Sequence, residues 1–134
     1  MSTAGTILVI GSKGFIGSHC FNYFRKLYTT IGCDIVPVNE PGYSVIENDD
    51  DIKSLFQKKR ISVCILASGS GSVPFSVKHP EKDFELNVVH VEKILGFVKE
   101  SNPECRIIHF SSASVYGNSL TLPIKEEHPL NPVS

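Results

Sequence analysis

Three glycines near the start of the chain constrain its fold more than any other feature. Gly11, Gly14 and Gly17 stand between an apolar β-type run, residues 7–10, and a segment with helical periodicity. A strand, a tight turn and a helix N-terminus are therefore expected in direct succession. A helix N-terminus carries unpaired N–H groups and about half a positive charge, and glycines let an anion approach closely. The loop predicts a phosphate or pyrophosphate site, with a plain structural turn as the alternative.

Apolar β-type runs and helical periodicity alternate along the rest of the chain. The predicted strands are residues 6–10, 34–38, 62–67 and 106–110. The predicted helices are residues 15–31, 50–60 and 80–100. This alternation predicts βαβ units and an α/β fold, a Rossmann-like, doubly wound parallel sheet flanked by helices. Ligands bind beyond the carboxyl ends of strands in such sheets, which draws attention to loops 11–17, 39–44, 68–76 and 111–117.

Composition excludes several classes of protein. A chain of 134 residues predicts one domain, and a net charge of −1 argues against general nucleic-acid binding. The four cysteines have no CxxC spacing and the five histidines have no metal-ligand spacing, so we expect buried free thiols, no metal and a packed His109. No apolar run reaches membrane-spanning length, and Met1 to Gly5 does not resemble a signal peptide. We expect a cytoplasmic protein without a membrane segment.

Several motifs in sequence order resemble one family. Gly11-Ser-Lys-Gly-Phe-Ile-Gly-Ser-His is similar to the opening of extended short-chain dehydrogenases/reductases of the sugar-nucleotide epimerase and dehydratase branch. Segments that resemble later family elements are Val63-Cys-Ile-Leu-Ala-Ser-Gly, Ser76-Val-Lys-His-Pro, Asn87-Val and Phe110-Ser-Ser-Ala-Ser-Val-Tyr-Gly. The last of these is the most specific, and the resemblance covers the whole chain, residues 1–134, as a dinucleotide-binding domain.

The resemblance implies a set of site residues. Ser112, three residues before Val-Tyr-Gly, corresponds to the family's catalytic hydroxyl, which bonds the reacting sugar oxygen. The implied cofactor contacts are Gly11, Lys13, Gly14, Phe15, Ile16, Gly17, Asn39, Ala67, Ser68, Gly69 and Ser111. Ala113 and Ser114 stand where the family's 4,6-dehydratases carry an acidic pair, which argues against that chemistry. The resemblance also implies a nucleotide-sugar substrate and a homodimer of the full-length enzyme.

The phosphate preference of the cofactor depends on the residue that ends the second strand. An acid there would bond the ribose hydroxyls of NAD. Asp34 begins the predicted strand, and five residues at about 3.3 Å each would place it some 16 Å from the ribose. Asn39 is then the residue at the strand end, and Lys13 in the glycine loop supplies positive charge. Either NAD or NADP is expected, with a small preference for NADP.

One catalytic element of the family is missing from this sequence. The family's base is a Tyr-x-x-x-Lys pair beyond Val-Tyr-Gly, and Tyr116 has Leu120 four residues later. We therefore expect an inactive N-terminal portion of an NAD(P)-dependent epimerase or reductase, truncated before the last strands and the substrate domain. The alternatives are a non-catalytic dinucleotide-sensing module and a reductase of a non-sugar ketone.

Overall fold

The computed structural model describes residues 5–133 and forms one parallel sheet with helices on both faces. The expectation about the N-terminal segment lies outside these residues, except at Gly5. The strands are β1 (Thr6–Ile10), β2 (Thr30–Asp34), β3 (Tyr43–Val45), β4 (Ile61–Leu66) and β5 (Arg106–His109). The helices are α1 (Phe15–Phe24), α2 (Asp49–Lys58), α3 (Val73–Lys78), α4 (Pro80–Phe84) and α5 (His90–Ser101). A π-helical turn, Glu85–Val89, joins α4 to α5, and a 3-10 turn covers Ala113–Tyr116.

The strand order is β3-β2-β1-β4-β5, and every pairing is parallel. β1 lies at the centre, with Ile10 opposite Cys33 of β2 and Leu66 of β4. From β1 the chain crosses to β2 on one side, and β4 enters on the other side. The predicted Rossmann-like α/β fold is confirmed, and the reversal between β1 and β4 creates a crevice at the carboxyl edge.

Alternate residues of the central strands feed two hydrophobic cores. Leu8 and Ile10 pack on the side of α2 and α5, where Phe56 and Ile94 are buried. Ile7 and Val9 pack on the opposite side against Phe21 of α1. Because successive strand residues face opposite sides, a strand buried on both faces reads as a continuous apolar run. This explains why the predictions for β1 and β4 agree with the structure to within a residue. The predicted bounds of β5 agree as closely, although most of that strand is exposed.

The prediction for the segment between β1 and β3 is wrong at two boundaries. α1 ends at Phe24 rather than at residue 31, and β2 covers Thr30–Asp34 rather than 34–38. The apolar residues taken as the strand lie in an exposed loop, where Ile35 is 77% exposed. Gly32 lies in β2, and a Cβ at this position would lie 3.0 Å from the Phe21 ring. A strand glycine of this kind marks close packing of a helix on the sheet.

The long second-half helix has the predicted extent but only part of the predicted buried face. The apolar spacing predicts a core stripe of Phe84, Val88, Val91, Leu95 and Val98. Val98 is buried and Val91 packs against the core, whereas Phe84, Val88 and Leu95 are 58%, 47% and 45% exposed. Ile94, outside this stripe, is buried. The π-helical turn adds a residue to one turn of the helix and so shifts the periodicity between α4 and α5. α3 and β3 were not predicted, since both are short.

The cap of α2 and the environment of His109 also differ from expectation. In the sequence, Asp50 or Asp51 is the expected cap of this helix. In the structure the cap is Asn48, whose side chain accepts the N–H groups of both aspartates. His109 is exposed at the end of β5 rather than packed in the core. Within residues 5–133, β5 is an edge strand of the sheet, and its Ile108 is also 41% exposed.

The cysteines contribute packing rather than chemistry. All four are free, and Cys33, Cys64 and Cys105 are buried. Burial raises the pKa of each of these three thiols above its ordinary value, which keeps them protonated at neutral pH.

Among residues 5–133, no helix has the length and apolarity needed to cross a bilayer. The same part of the chain contains no group of three His, Cys, Asp or Glu residues arranged to hold a metal ion.

We predict that Asn102 is a major determinant of stability. Its buried side chain accepts the Ile61 N–H at 2.7 Å and donates to the Phe56 carbonyl, joining the ends of α2 and α5 to the start of β4. Asn102→Ala leaves both backbone groups without these partners and should lower the free energy of unfolding by about 2–4 kcal/mol. Urea unfolding followed by circular dichroism measures this.

The matched control for this prediction is the exposed Asn118→Ala, which should change the free energy of unfolding by less than about 0.5 kcal/mol. Equal effects of the two substitutions would contradict the assigned role of Asn102.

Candidate functional site

The glycine loop is fixed by backbone contacts with both neighbouring strands. The N–H groups of Gly11 and Ser12 donate to the Cys33 carbonyl at 2.9 and 3.1 Å. Gly11 has φ +83°, and a Cβ there would lie 2.6 Å from the Ala67 carbonyl group. A Cβ on Gly17 would lie 2.0 Å from the Gly11 carbonyl oxygen. Two of the three glycines are therefore required by the fold itself.

Gly14 differs from the other two glycines. It is the N-cap of α1 with φ −72° and ψ 173°, extended backbone that any residue adopts. A Cβ there would meet the Gly11 oxygen at 3.3 Å, a contact that a small movement relieves. Among residues 5–133, no side chain caps the N-terminus of α1, and its first turn carries no acid. The helix N-terminus therefore presents free N–H groups over a glycine whose missing side chain leaves room for a ligand.

Asp34 ends β2 beside this loop. The Lys13 N–H donates to one carboxylate oxygen of Asp34 and the Ile35 N–H to the other, both at 2.8 Å. Since β2 ends here rather than at residue 38, the strand-end position belongs to Asp34, twenty residues after Gly14. The prediction that Asn39 stands at the strand end is therefore wrong. Asn39 is exposed in the loop that follows.

The side chain of Lys13 is held by an acid of that same loop. Its Nζ lies 2.5 Å from Glu40 Oε2, and the other Glu40 oxygen pairs with Arg25. Arg25 also donates to the Pro41 carbonyl at 2.9 Å. Hydrogen bonds from Lys13 and Arg25 lower the pKa of the Glu40 carboxyl. The charge on Lys13, expected to face a cofactor phosphate, is thus already paired.

The loop after β4 forms the opposite wall of the crevice. The Ala67 N–H donates to the Ile10 carbonyl at 2.9 Å, and the Ser68 hydroxyl is buried with no hydrogen-bond partner within the described residues. Asn87 clamps the next part of the loop: its side chain accepts the Ser70 N–H and donates to the Ser70 carbonyl, each at 2.9 Å. Asn87 lies in the π-helical turn, a geometry frequent at functional sites.

Two adjoining clefts share Ala67, Ser68 and Gly69. The cleft between the ends of β1 and β2, about 480 Å³, is also lined by Gly11, Lys13, Gly14 and Asp34. We call it the β1–β2 cleft.

The second cleft, between the ends of β4 and β5, has a volume of about 400 Å³. We call it the β4–β5 cleft. Ile16, Asn87, His109, Ser111 and Ser112 line it.

Ser112 is oriented by the turn that follows it. Its hydroxyl oxygen accepts the Ser114 N–H at 3.1 Å, so Ser112 is the N-cap of the 3-10 turn. This bond occupies an acceptor site and leaves the hydroxyl hydrogen available to a group in the β4–β5 cleft.

The structure gathers most of the predicted site residues but not all. Apart from those already placed in the two clefts, Gly17 packs beneath the loop, while Phe15 is 83% exposed and lines neither cleft. Sequence analysis missed three residues of the site. They are Asp34, Asn87 and His109.

The residues present fit a dinucleotide. Free N–H groups at α1 and the open position at Gly14 suit a pyrophosphate, and the Asp34 carboxylate suits a ribose hydroxyl. Ser68, whose hydroxyl is buried and has no hydrogen-bond partner within residues 5–133, lies where the two clefts adjoin. The fold and this crevice define a Rossmann-type domain with a dinucleotide-shaped site at its topological switch point.

Comparison with known sequences agrees with this class. The sequence profile of the NAD dependent epimerase/dehydratase family matches residues 7–134, and the chain belongs to that family. UDP-glucose 4-epimerase of Lactobacillus helveticus is 30% identical over 138 residues, which cover 96% of this chain and 42% of the relative. UDP-glucuronate 4-epimerase 6 of Arabidopsis thaliana is 26% identical, with 92% of this chain and 31% of the relative covered.

Solved structures show the same fold. UDP-glucose 4-epimerase of Brucella ovis in complex with NAD superposes with a TM-score of 0.83 at 25% identity, covering 97% of this chain and 42% of that one. The Bifidobacterium longum enzyme in complex with NAD+ and UDP gives a TM-score of 0.81 at 27% identity, covering 94% and 42%. The chain therefore spans less than half the length of the relatives that it matches.

We predict that the loop glycines separate into structural and ligand-facing positions. Gly17→Ala should lower the free energy of unfolding by about 3 kcal/mol, because its Cβ would overlap the Gly11 carbonyl oxygen. Gly14→Ala should cost less than about 1 kcal/mol, because its backbone conformation is ordinary. Thermal unfolding of the two variants tests this, and a Gly14→Ala chain as unstable as Gly17→Ala would overturn it.

Proposed function

We propose that this chain is the NAD-binding N-terminal portion of a nucleotide-sugar epimerase or reductase that transfers hydride at a sugar carbon. The observation that carries the proposal is the placement of the α1 N-terminus and the Asp34 carboxylate on one cleft. These are the two groups that a dinucleotide needs, one for the pyrophosphate and one for the adenosine ribose. Relatives named as UDP-glucose 4-epimerases support the substrate class.

The proposed cofactor is NAD. The expected preference for NADP depended on a neutral residue at the end of β2 and on a free Lys13. The structure has Asp34 at that end and Lys13 paired with Glu40. A carboxylate beside the ribose accepts hydrogen bonds from its hydroxyls and repels a 2′-phosphate. The related Brucella ovis and Bifidobacterium longum enzymes were solved with NAD, which supports the same choice.

The residues of this chain would bind and orient the reactants. Gly11, Gly14 and the first N–H groups of α1, including that of Ile16, would hold the pyrophosphate, and Asp34 the adenosine ribose. Bound NAD would supply the hydride acceptor. Ser68 and Ser111 would line its nicotinamide side, and Ser112 would donate its hydroxyl hydrogen to the sugar oxygen. Gly69 keeps the wall close, since a Cβ there would lie 2.5 Å from the Asn87 side-chain oxygen.

Oligomeric state and compartment form part of the same proposal. The exposed Phe84, Val88 and Leu95 of the 80–101 helical segment would pack against a second subunit in the longer enzyme. The three buried free thiols are typical of a reducing compartment, which supports a cytoplasmic protein.

We predict selective binding of NAD. Isothermal titration calorimetry should detect NAD binding to this chain, and NADP should bind at least about tenfold more weakly, because Asp34 faces the 2′ position. Gly14→Ala is the matched control, since it should remain folded while its new methyl group blocks the pyrophosphate. Absence of NAD binding to the folded chain, or equal binding to Gly14→Ala, would refute the proposed function.

We also predict that these 134 residues do not turn over a substrate. Each tyrosine of the chain lacks a lysine four residues later, so the Tyr-x-x-x-Lys base of the family has no counterpart here. Incubation with NAD and UDP-glucose should yield no UDP-galactose by anion-exchange chromatography. Formation of UDP-galactose would show that another residue of this chain acts as the base.

A further inference from the structure

A cluster of charged side chains lies beside the β1–β2 cleft, and none of them is assigned a direct contact with NAD. The cluster has four members from different parts of the chain. Lys13 belongs to the glycine loop and Glu40 to the loop after β2, while Arg25 follows α1 and Tyr43 begins β3. Both Glu40 oxygens are occupied, one by Lys13 and the other by Arg25. Lys13 also lies over the Tyr43 ring, with its Nζ 4.7 Å from the ring centroid. The cluster holds the Lys13 ammonium in one place.

The location of Lys13 makes this restraint consequential. Its backbone N–H bonds the carboxylate of Asp34, so its side chain begins next to the position proposed for the adenosine ribose. A free ammonium there would attract a 2′-phosphate and oppose the repulsion by Asp34. Glu40 pairs with that ammonium where both side chains are about three-quarters covered, with 24% and 27% exposed. Lys13 is the one basic residue of the glycine loop. Because its ammonium is paired with Glu40, it is not free to attract a 2′-phosphate.

We propose that Glu40 is a specificity-determining residue, which favours NAD over NADP by sequestering the Lys13 ammonium from a 2′-phosphate. Arg25 is its positioning residue, because it bonds Glu40 and the Pro41 carbonyl and so fixes the loop that carries Glu40. Asp34 repels a 2′-phosphate directly. Glu40 keeps the Lys13 ammonium from offsetting that repulsion. This inference rests on the proposed function of the β1–β2 cleft as an adenosine site.

Glu40→Gln tests the proposal because glutamine keeps the size of the side chain and removes its charge. Calorimetric titration of the variant with NADP should show binding about tenfold tighter than that of the unmodified chain. Its affinity for NAD should change by less than about twofold. The double variant Lys13→Gln/Glu40→Gln should return the affinity for NADP to the unmodified level, because Lys13 is the group that Glu40→Gln releases.

Two controls separate this mechanism from simpler ones. Glu104→Gln removes the same charge from an exposed site beside the start of β5, at the opposite edge of the sheet, and should leave both affinities unchanged. Lys13→Gln alone should not weaken NADP relative to NAD, since the ammonium is already paired in the unmodified chain. This second variant keeps the proposal testable even where Glu40→Gln lowers stability.

The outcomes distinguish this inference from the proposed function. A chain that binds NAD, with an unchanged NAD-to-NADP ratio in Glu40→Gln, refutes the role of Glu40 and leaves the function standing. A selective loss of NADP binding in Lys13→Gln also refutes it, because Lys13 would then already contact the 2′-phosphate. A folded chain that binds neither dinucleotide refutes the proposed function itself.

Discussion

The close approach of Gly11 to the backbones of two neighbouring strands determines the rest of the structure. The Cys33 carbonyl accepts hydrogen bonds from the N–H groups of Gly11 and Ser12. The Ala67 backbone leaves no room for a side chain on Gly11. This contact ends β1 at the carboxyl edge of the sheet, and α1 begins four residues after Gly11. It thereby directs the helix N-terminus at the crevice between β1 and β4. The anion-binding geometry is a consequence of how the centre of the sheet packs.

The parts of the fold that the sequence predicted are those where burial leaves a simple pattern. β1, β4 and β5 are short apolar runs bounded by turns, and the glycine spacing marks the start of α1. The end of α1 and the position of β2 could not be read in this way. Leu27 and Ile31 continue the helical spacing, although Leu27 is 60% exposed and Ile31 belongs to β2. Local periodicity cannot reveal that Gly32 must lie under the Phe21 ring, because that contact is tertiary.

This single boundary error changed the inference about the cofactor. Moving the end of β2 from residue 38 to Asp34 replaces a neutral candidate by an acid beside the ribose position. The location of Ser112 and of the glycine loop at the crevice agrees with the sequence motifs, because spacing along the chain is what defines those motifs. Glu40 was not predictable, since its partners Lys13 and Arg25 are 27 and 15 residues away and meet it only in the folded chain. Contacts between residues that are far apart in the chain leave no local sequence pattern from which they could be predicted.

Apart from Gly11 and Gly17, which both the fold and the crevice need, the stabilising contacts described above lie away from the crevice. The core side chains pack on the two faces of the sheet, and Asn102 bonds the first residue of β4. The crevice contains polar groups that have no hydrogen-bond partner within the described residues, among them the Ser68 hydroxyl. A ligand that forms a hydrogen bond with such a buried group would add to the stability of the folded chain. Any ligand that binds only the folded state also stabilises it by mass action. The crevice is therefore the part of the domain whose free energy depends most on occupancy, and the glycine loop that forms it is held rigid in advance by the sheet.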